Sequence, residues 1–448
     1  MTTTTTTNNN NNRDNNDNEH EITKDDQNQN SNQLGKQILD DEGFGDFGKQ
    51  EGSNSSSSSI SIKEGTAFDV IVVEGEDGTL FHNSDFLVSF KGEKKDKGGG
   101  SHNNTNTIVM KIEKSQEGDG DATADARWFQ INNGGGDDDA NDADNGEESN
   151  DAPSSDPMVA LKSILKPGRN PISYFLLDAQ GRPIGVAKAY IFLWKHDDSI
   201  VVSDIDGTIT KSNARGVLGT IVTSQYGKVC HEGICHLLTA LSAKSQVVYV
   251  TSRPIALANQ TRKFLSNLRQ QQSGDESLPH GPLLGFGGKM PKLLVMELVS
   301  HTTQKFKSGK LWQQVCKPFR QATNNDPNSP VFVAGFGNNL MDMQAYHAIC
   351  MDISRIYKID KKSQIVTFDK KINGDGGDGD GDGDGQGGNK TSSSNVDDGD
   401  FTFPPHDWYK DRIGTEFNGY TDAKLLYQFG FFDGDEKKKD HLKKYLAA

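Results

Sequence analysis

Asp204 and Asp206 stand one residue apart directly behind the apolar run Ile200-Val201-Val202, and Gly207-Thr208 follow them. Successive side chains on a strand point to opposite faces, so the chain has to turn after Asp204 for both carboxylates to reach one site. Gly207 makes such a turn easy. Two carboxylates so placed suit phosphoryl transfer: one attacks phosphorus, the other moves a proton, and a magnesium ion neutralises the phosphate oxygens. A lone D-x-D pair is common in acidic turns and calcium loops, whereas D-x-D-G-T behind a hydrophobic strand is far more selective.

Other strand ends carry compatible chemistry. Val247 to Val250 runs into Thr251-Ser252-Arg253, where a hydroxyl and the following N–H can hold a phosphate oxygen. The same residues could equally cap a following helix. Val331 to Ala334 runs into Gly335-Phe336-Gly337-Asn338-Asn339-Leu340-Met341-Asp342. A carboxamide and a carboxylate beside glycines suit magnesium, which takes hard oxygen ligands, and Asn338 or Asn339 is also a natural helix cap. A cation is needed to offset the nucleophile and the transferred group. The run Gln304 to Lys310 offers several lysines, and position alone does not choose among them. His231, His236, His280, His301 and His347 show no metal-ligand spacing and read as structural or surface residues.

The elements that must position these residues alternate. Ile200 to Ser203, Val247 to Val250, Val331 to Ala334 and Ile349 to Ile353 read as strands. Between them, Ile234-Leu237-Leu238-Leu241, Leu257-Thr261-Phe264-Leu265-Leu268, Leu293 to Val299 and Leu311 to Phe319 have helical spacing. Such alternation predicts an α/β fold with a parallel, doubly wound sheet that binds ligands at its carboxyl edge. Two β-rich stretches precede it. Phe68 to Val73, Phe86 to Phe90, Ile108 to Ile112 and Trp128 to Ile131 form one; Ile172 to Leu177 and Val186 to Leu193 form the other. Each half is thin alone, so the two are expected to complete one sandwich.

Composition bounds the rest. The 448 residues suffice for two or three domains. The hydrophobic share of 33% is lowered by tracts of Thr, Asn, Ser, Gly and Asp. We read residues 1–60, 132–157 and 371–400 as disordered, because such tracts bury too little apolar surface to offset ordering entropy. The other units are 61–131, 158–198, 199–370 as the catalytic domain, and a C-terminal segment 401–448. The net charge of −15 argues against nucleic acid as a partner. Cys230, Cys235, Cys316 and Cys350 form no C-x-x-C and read as reduced, packed thiols of a cytosolic protein. No secretory signal and no transmembrane run of about 18 apolar residues is visible.

The motifs in this order resemble the haloacid-dehalogenase-like phosphatases, and within them the lipin family. The carrying residues are Leu165-Lys166-Pro167-Gly168-Arg169-Asn170, Ala189 to Trp194, Ser203 to Ser212, His231-Glu232-Gly233-Ile234, Thr261-Arg262, Leu278 to Leu284, Lys305-Phe306-Lys307 and Phe336-Gly337-Asn338. Phe68 to Val73, Asp77 to Leu80 and Phe86 to Phe90 resemble the family's N-terminal domain, which with the segment before the catalytic domain forms an immunoglobulin-like β-sandwich.

The resemblance implies magnesium-dependent removal of phosphate from phosphatidate in membranes, giving diacylglycerol. Asp204 would be the nucleophile and Asp206 the acid and base. Thr251 would bind the phosphoryl oxygens, and Lys307 would be the motif lysine. Gly207, Thr208, Ser252 and Arg253 would line the substrate phosphate. Asp204, the Asp206 carbonyl, and Asn338 or Asp342 would hold Mg2+. The expected location is cytoplasmic, at the surface of the endoplasmic reticulum.

Departures are visible too. Ser212-Asn213 replaces the usual Ser-Asp, Gly337-Asn338-Asn339 replaces Gly-Asn-Arg, and no L-x-x-I-L motif occurs near Val217 to Ile221. Thr/Asn tracts stand where the family has an amphipathic helix. Membrane docking then falls to Trp194 with nearby basic residues, or to Lys437 to Lys444. A non-catalytic phosphatidate-binding module and a phosphatase of soluble esters are the rival readings.

Overall fold

The computed structural model describes residues 62–84, 86–90, 107–112, 128–131, 161–211, 223–270, 276–287, 303–369 and 401–431. The three low-complexity tracts, Ser212-Asn213, the Val217 to Ile221 stretch, the Leu293 to Val299 helix and the Lys437 to Lys444 run lie outside the described residues.

The strands before Ile200 are β1 (Lys63–Ala67), β2 (Val70–Glu74), β3 (Leu80–Phe81), β4 (Val88–Phe90), β5 (Thr107–Ile112), β6 (Trp128–Ile131), β7 (Gly168–Leu177) and β8 (Pro183–Lys195). They join in one eight-stranded sheet, ordered β3-β2-β8-β7-β5-β6, with β1 pairing β4 and β8. The two β-rich stretches thus share one sheet. Its centre is β8, which pairs antiparallel with β7 and in parallel with β2, Val70 opposite Ile191. The sequence reading missed β1, whose start, Lys63-Glu64-Gly65, is polar.

This sheet is apolar on both faces. Val70, Val72, Ala189, Ile191 and Leu193 belong to its own core. Ile71, Val73, Phe192 and Trp194 point the other way, onto Trp312, Val315 and Phe319. Trp194 is therefore 2% exposed, its ring tilted against Phe319 at 6.4 Å, which removes it as a membrane-docking residue. Its strand is two-sided, so an aromatic at the strand end was bound to be covered.

The second sheet has seven strands in the order β13-β10-β9-β14-β15-β16-β17. These are β9 (Ile200–Asp204), β10 (Gln246–Pro254), β13 (Leu283–Phe286), β14 (Phe332–Gly337), β15 (Ile356–Ile359), β16 (Ile365–Phe368) and β17 (Ile413–Phe417), while β11 (Arg269–Gln270) and β12 (Glu276–Ser277) form a small separate pair. The first five strands of the order are parallel, β16 runs antiparallel to them, and β17, antiparallel to β16, runs with them again. Every residue of β9 is buried; Val201 joins one core cluster, Ile200 and Val202 the other. That alternation inside an all-apolar run is what a strand covered by helices on both faces requires.

The strand expected at Ile349 to Ile353 is displaced to β15. Cys350 takes φ +66, and Asp352 caps a short 3-10 turn by accepting from the Ser354 N–H, so the chain cannot extend until Ile356. The C-terminal segment, read as separate, supplies β17 to the seven-stranded sheet.

Asp69 clasps the two sheets together. Its buried carboxylate accepts from the Tyr190 N–H of β8 at 3.0 Å, the Leu283 N–H of β13 at 2.9 Å and Nη2 of Arg262 at 2.9 Å. Beside it, the Phe68 ring lies directly on Gly285, where a Cβ would come within 2.3 Å of it. Asp69→Ala would leave a guanidinium and two buried N–H groups without their acceptor. It is expected to cost about 3 kcal/mol or more of stability, read as a drop in thermal unfolding midpoint.

Candidate active site

Register places the chemistry. Asp204 lies opposite Val250 of β10, and its neighbour Ser203 lies opposite Phe336 of β14. The loops after three adjacent parallel strands therefore open at one edge. After Asp204 the chain turns tightly: the Thr208, Ile209 and Thr210 N–H groups all converge on the Ile205 carbonyl. Gly207 sits at φ +90, where a side chain would be strained. Among the described residues no N–H of this turn donates to the Asp206 carbonyl.

Asp204 is 2% exposed. Its Oδ1 accepts from Nζ of Lys307 at 2.6 Å and its Oδ2 from the Thr208 hydroxyl at 3.0 Å. Burial pushes the carboxyl up to about 7; Lys307 opposes this rise, and Asp342 and Asp206 add to it. Lys307 sits between two carboxylates, bonded also to Oδ1 of Asp342 at 2.5 Å. Burial alone would lower its proton affinity, but Asp204 and Asp342 outweigh that and hold the ammonium charged.

Lys307 comes from the helix Thr303–Leu311. The helical path continues through Trp312–Cys316, where the Lys317 N–H reaches back five residues to the Trp312 carbonyl, and on into Lys317–Ala322. The wider turn accommodates Pro318, which has no N–H to give. Trp312, Val315 and Phe319 bury this helix against both sheets, fixing the lysine's approach.

Asp342 is fully buried. Its Oδ2 accepts from the Asn338 and Asn339 N–H groups at 3.0 and 3.2 Å, while its own N–H donates to Asn339 Oδ1. Asn339 is thus the cap of the helix Leu340–Ala348, and the expected capping role and the site are one structure. Gly337 permits the close approach: a Cβ there would sit 2.5 Å from Cβ of Asp342.

Asp206 is held by a fork. Arg253 donates from Nε at 2.9 Å and from Nη2 at 2.5 Å, and both groups are buried. Arg253 is braced in turn by the Thr261 hydroxyl at 3.2 Å, and the Thr251 hydroxyl reaches Asp206 at 3.4 Å. Thr251, Ser252 and Arg253 are buried residues within β10, which stays extended to Pro254. They do not cap the next helix, whose cap position is Leu257. Sequence reasoning placed Arg253 on the substrate phosphate; here its guanidinium is turned onto Asp206.

Two further residues hold the turn. His231 Nε2 donates to the Gly207 carbonyl at 3.3 Å and Nδ1 accepts from the Ser363 hydroxyl at 2.8 Å; the carbonyl can only accept, which fixes this tautomer. Burial lowers the His231 proton affinity and keeps the ring neutral. The Tyr420 hydroxyl donates to the Thr208 carbonyl at 3.1 Å. The His-Glu-Gly-Ile motif pointed at His231; nothing local in the sequence pointed at Tyr420.

Among the described residues no three His, Cys, Asp or Glu side chains form a cluster that could hold a metal. A cation would need mixed oxygen donors, and the site has them: the Asp204 carboxylate, the Asp206 carbonyl and the Asn338 carboxamide. This set fits a hard divalent ion such as magnesium. Asp342 is a further oxygen donor beside them; its Oδ1 accepts from Lys307 and its Oδ2 from the Asn338 and Asn339 N–H groups.

A parallel α/β sheet carrying two carboxylates, a buried lysine and a Gly-Asn loop at its carboxyl edge is the frame on which the comparisons fall. The LNS2 (Lipin/Ned1/Smp2) family profile matches residues 152–374. Those residues place this part of the chain in the lipin family. It is 32% identical over 207 residues to Nuclear elongation and deformation protein 1 of Schizosaccharomyces pombe, covering 46% of this chain and 29% of that protein. It is 31% identical over 215 residues to Phosphatidate phosphatase LPIN1 of Homo sapiens, covering 48% and 23%. It is 30% identical over 189 residues to Phosphatidic acid phosphohydrolase 1 of Saccharomyces cerevisiae, covering 41% and 21%. The match thus spans under a third of each relative's length.

Proposed function

We propose that this protein is a magnesium-dependent phosphatidate phosphatase that releases phosphate and diacylglycerol through an aspartyl-phosphate. The observation that carries the reading is the buried Asp204–Lys307–Asp342 group beside Asp206, at the carboxyl edge of a lipin-family sheet.

In the first half-reaction an Asp204 carboxylate oxygen forms a bond to phosphorus as the bond from phosphorus to the glycerol oxygen breaks. Asp206 gives the leaving alkoxide its proton. In the second, Asp206 takes a proton from water, whose oxygen attacks phosphorus and frees Asp204 and phosphate. To act as an acid, Asp206 has to lose part of the Arg253 fork. An arriving phosphate, itself a two-oxygen acceptor, is suited to draw that guanidinium away, which would give Arg253 the substrate contact expected of it. Gly207, Thr208, Thr251 and Ser252 line the same turn and strand end. Lys307 offsets the charge of the nucleophile and of the transferred group.

Asp204, the Asp206 carbonyl, and Asn338 or Asp342 would hold Mg2+. When bound, the ion neutralises phosphate oxygens and favours the ionised form of Asp204.

We read residues 199–370 with β17 as the catalytic unit and the eight-stranded sheet as the family's immunoglobulin-like module. No helix among the described residues is long and apolar enough to cross a membrane. A cytoplasmic protein that meets phosphatidate at the endoplasmic reticulum surface is the setting we propose.

Phosphate release from phosphatidate in mixed phosphatidylcholine vesicles tests the reading. EDTA should abolish release and added Mg2+ should restore it. Faster turnover of glycerol phosphate than of phosphatidate would overturn the lipid assignment, and insensitivity to EDTA would overturn the metal assignment.

A further inference from the structure

We propose that Tyr420 is a positioning residue of the nucleophile loop, acting through Thr208, so that the segment carrying it is part of the catalytic machinery. The proposal rests on the phosphatase reading above. Tyr420 lies beyond the residues matched by the family profile, which end at 374.

The geometry forms a short chain of bonds. Thr208 donates its hydroxyl to Asp204 Oδ2 at 3.0 Å and accepts at its own carbonyl from the Tyr420 hydroxyl at 3.1 Å. Asp204 Oδ1 is taken by Lys307. The orientation of the other oxygen is therefore set by Thr208, and the height of Thr208 in the loop is set by Tyr420. Thr208 is fully buried and Tyr420 is 1% exposed, so no bulk water can stand in for the phenol. A buried carbonyl that loses its donor relaxes toward another one, and here relaxation would carry the Thr208 side chain with it.

Tyr420 is itself rigid. Its ring meets His231 edge-on at 6.2 Å and Phe336 at 5.8 Å. His231 holds the adjacent Gly207 carbonyl, and Phe336 immediately precedes the Gly337-Asn338 turn. One ring thus packs between the two loops whose spacing the reaction depends on. Its backbone is fixed by β17, where Phe417 pairs with Ile365, and by Asp422, which accepts from the Asn418 and Lys424 N–H groups at 2.7 Å each.

Tyr420→Phe in the full-length protein removes one oxygen and leaves the ring. Its kcat should fall about tenfold with KM for phosphatidate within about twofold. Inhibition by orthovanadate, which mimics the five-coordinate phosphorus, should weaken by the same factor. Rates are normalised to the folded fraction from circular dichroism, so partial unfolding does not imitate the effect.

A double-mutant cycle with Thr208→Val decides the route. If Tyr420 acts through Thr208, the double variant is no slower than Thr208→Val alone; losses that multiply overturn the proposal, as does an unchanged kcat in Tyr420→Phe. The cycle is run on phosphatidate and on p-nitrophenyl phosphate. Turnover of the second substrate only would remove the lipid assignment while the cycle still reads Tyr420. Undiminished release by Asp204→Asn would overturn both.

Discussion

Asp204→Asn is expected to lower phosphate release from phosphatidate by a factor on the order of 10³ or more, since removing a nucleophile eliminates the covalent route. The substitution is nearly isosteric. The Asn oxygen can still accept from Lys307, and its amide can donate to the Thr208 hydroxyl, so the bonds at 2.6 and 3.0 Å have counterparts in the variant. Folding should therefore survive, and circular dichroism should match the parent protein. Release by this variant within about tenfold of the parent would mean that Asp204 is not the attacking group.

Lys307→Met is the second large effect, and it falls on both fold and reaction. Lys307 is the cation that contacts Asp204 and Asp342 at 2.6 and 2.5 Å, and all three groups are buried. Taking it away leaves two carboxylates facing each other without their counter-charge, a loss of about 3–5 kcal/mol for a broken buried pair. The unfolding midpoint should drop in proportion, and phosphate release should fall by roughly 10² or more as the fixed charge beside the transferred group is lost. Lys307→Arg should recover little, because a planar fork cannot occupy the point between two carboxylates that an ammonium fills. A Lys307→Met protein that unfolds at the parent's temperature would show that the ion triad contributes no stability.

Much of this site could be read from the chain because its parts are local. A carboxylate pair behind an apolar strand, a Thr at the next strand's end and a Gly-Asn turn at a third are each signals a few residues long. Lys307 was different: a run of lysines gives no reason to prefer one, and only family likeness picked it out before the helix placed it between Asp204 and Asp342. The Arg253 fork could not be read at all. It depends on β10 remaining extended three residues past Val250, against the ordinary expectation that Thr-Ser opens a helix. Tyr420 and Asp69 were hidden for a related reason. Each acts across a long separation in sequence, 212 residues to Thr208 and 214 to Leu283, and no local pattern encodes such a partner. Trp194 erred in the opposite sense, because an aromatic at a strand end looks like a surface anchor until the second covering face is known.

The two polar tracts that interrupt the folded sequence have a common placement. Residues 132–157 fall between β6 and β7, and 371–400 fall between β16 and β17, whose Phe368 and Ile413 are paired neighbours. In both cases the chain leaves one sheet and returns to the same sheet. The entropy of closing a loop grows only with the logarithm of its length, about 0.6 kcal/mol for each doubling. Adding residues at these two points is therefore expected to cost folding little, because the strands that flank them and the register that aligns Asp204, Lys307 and Tyr420 belong to the sheets.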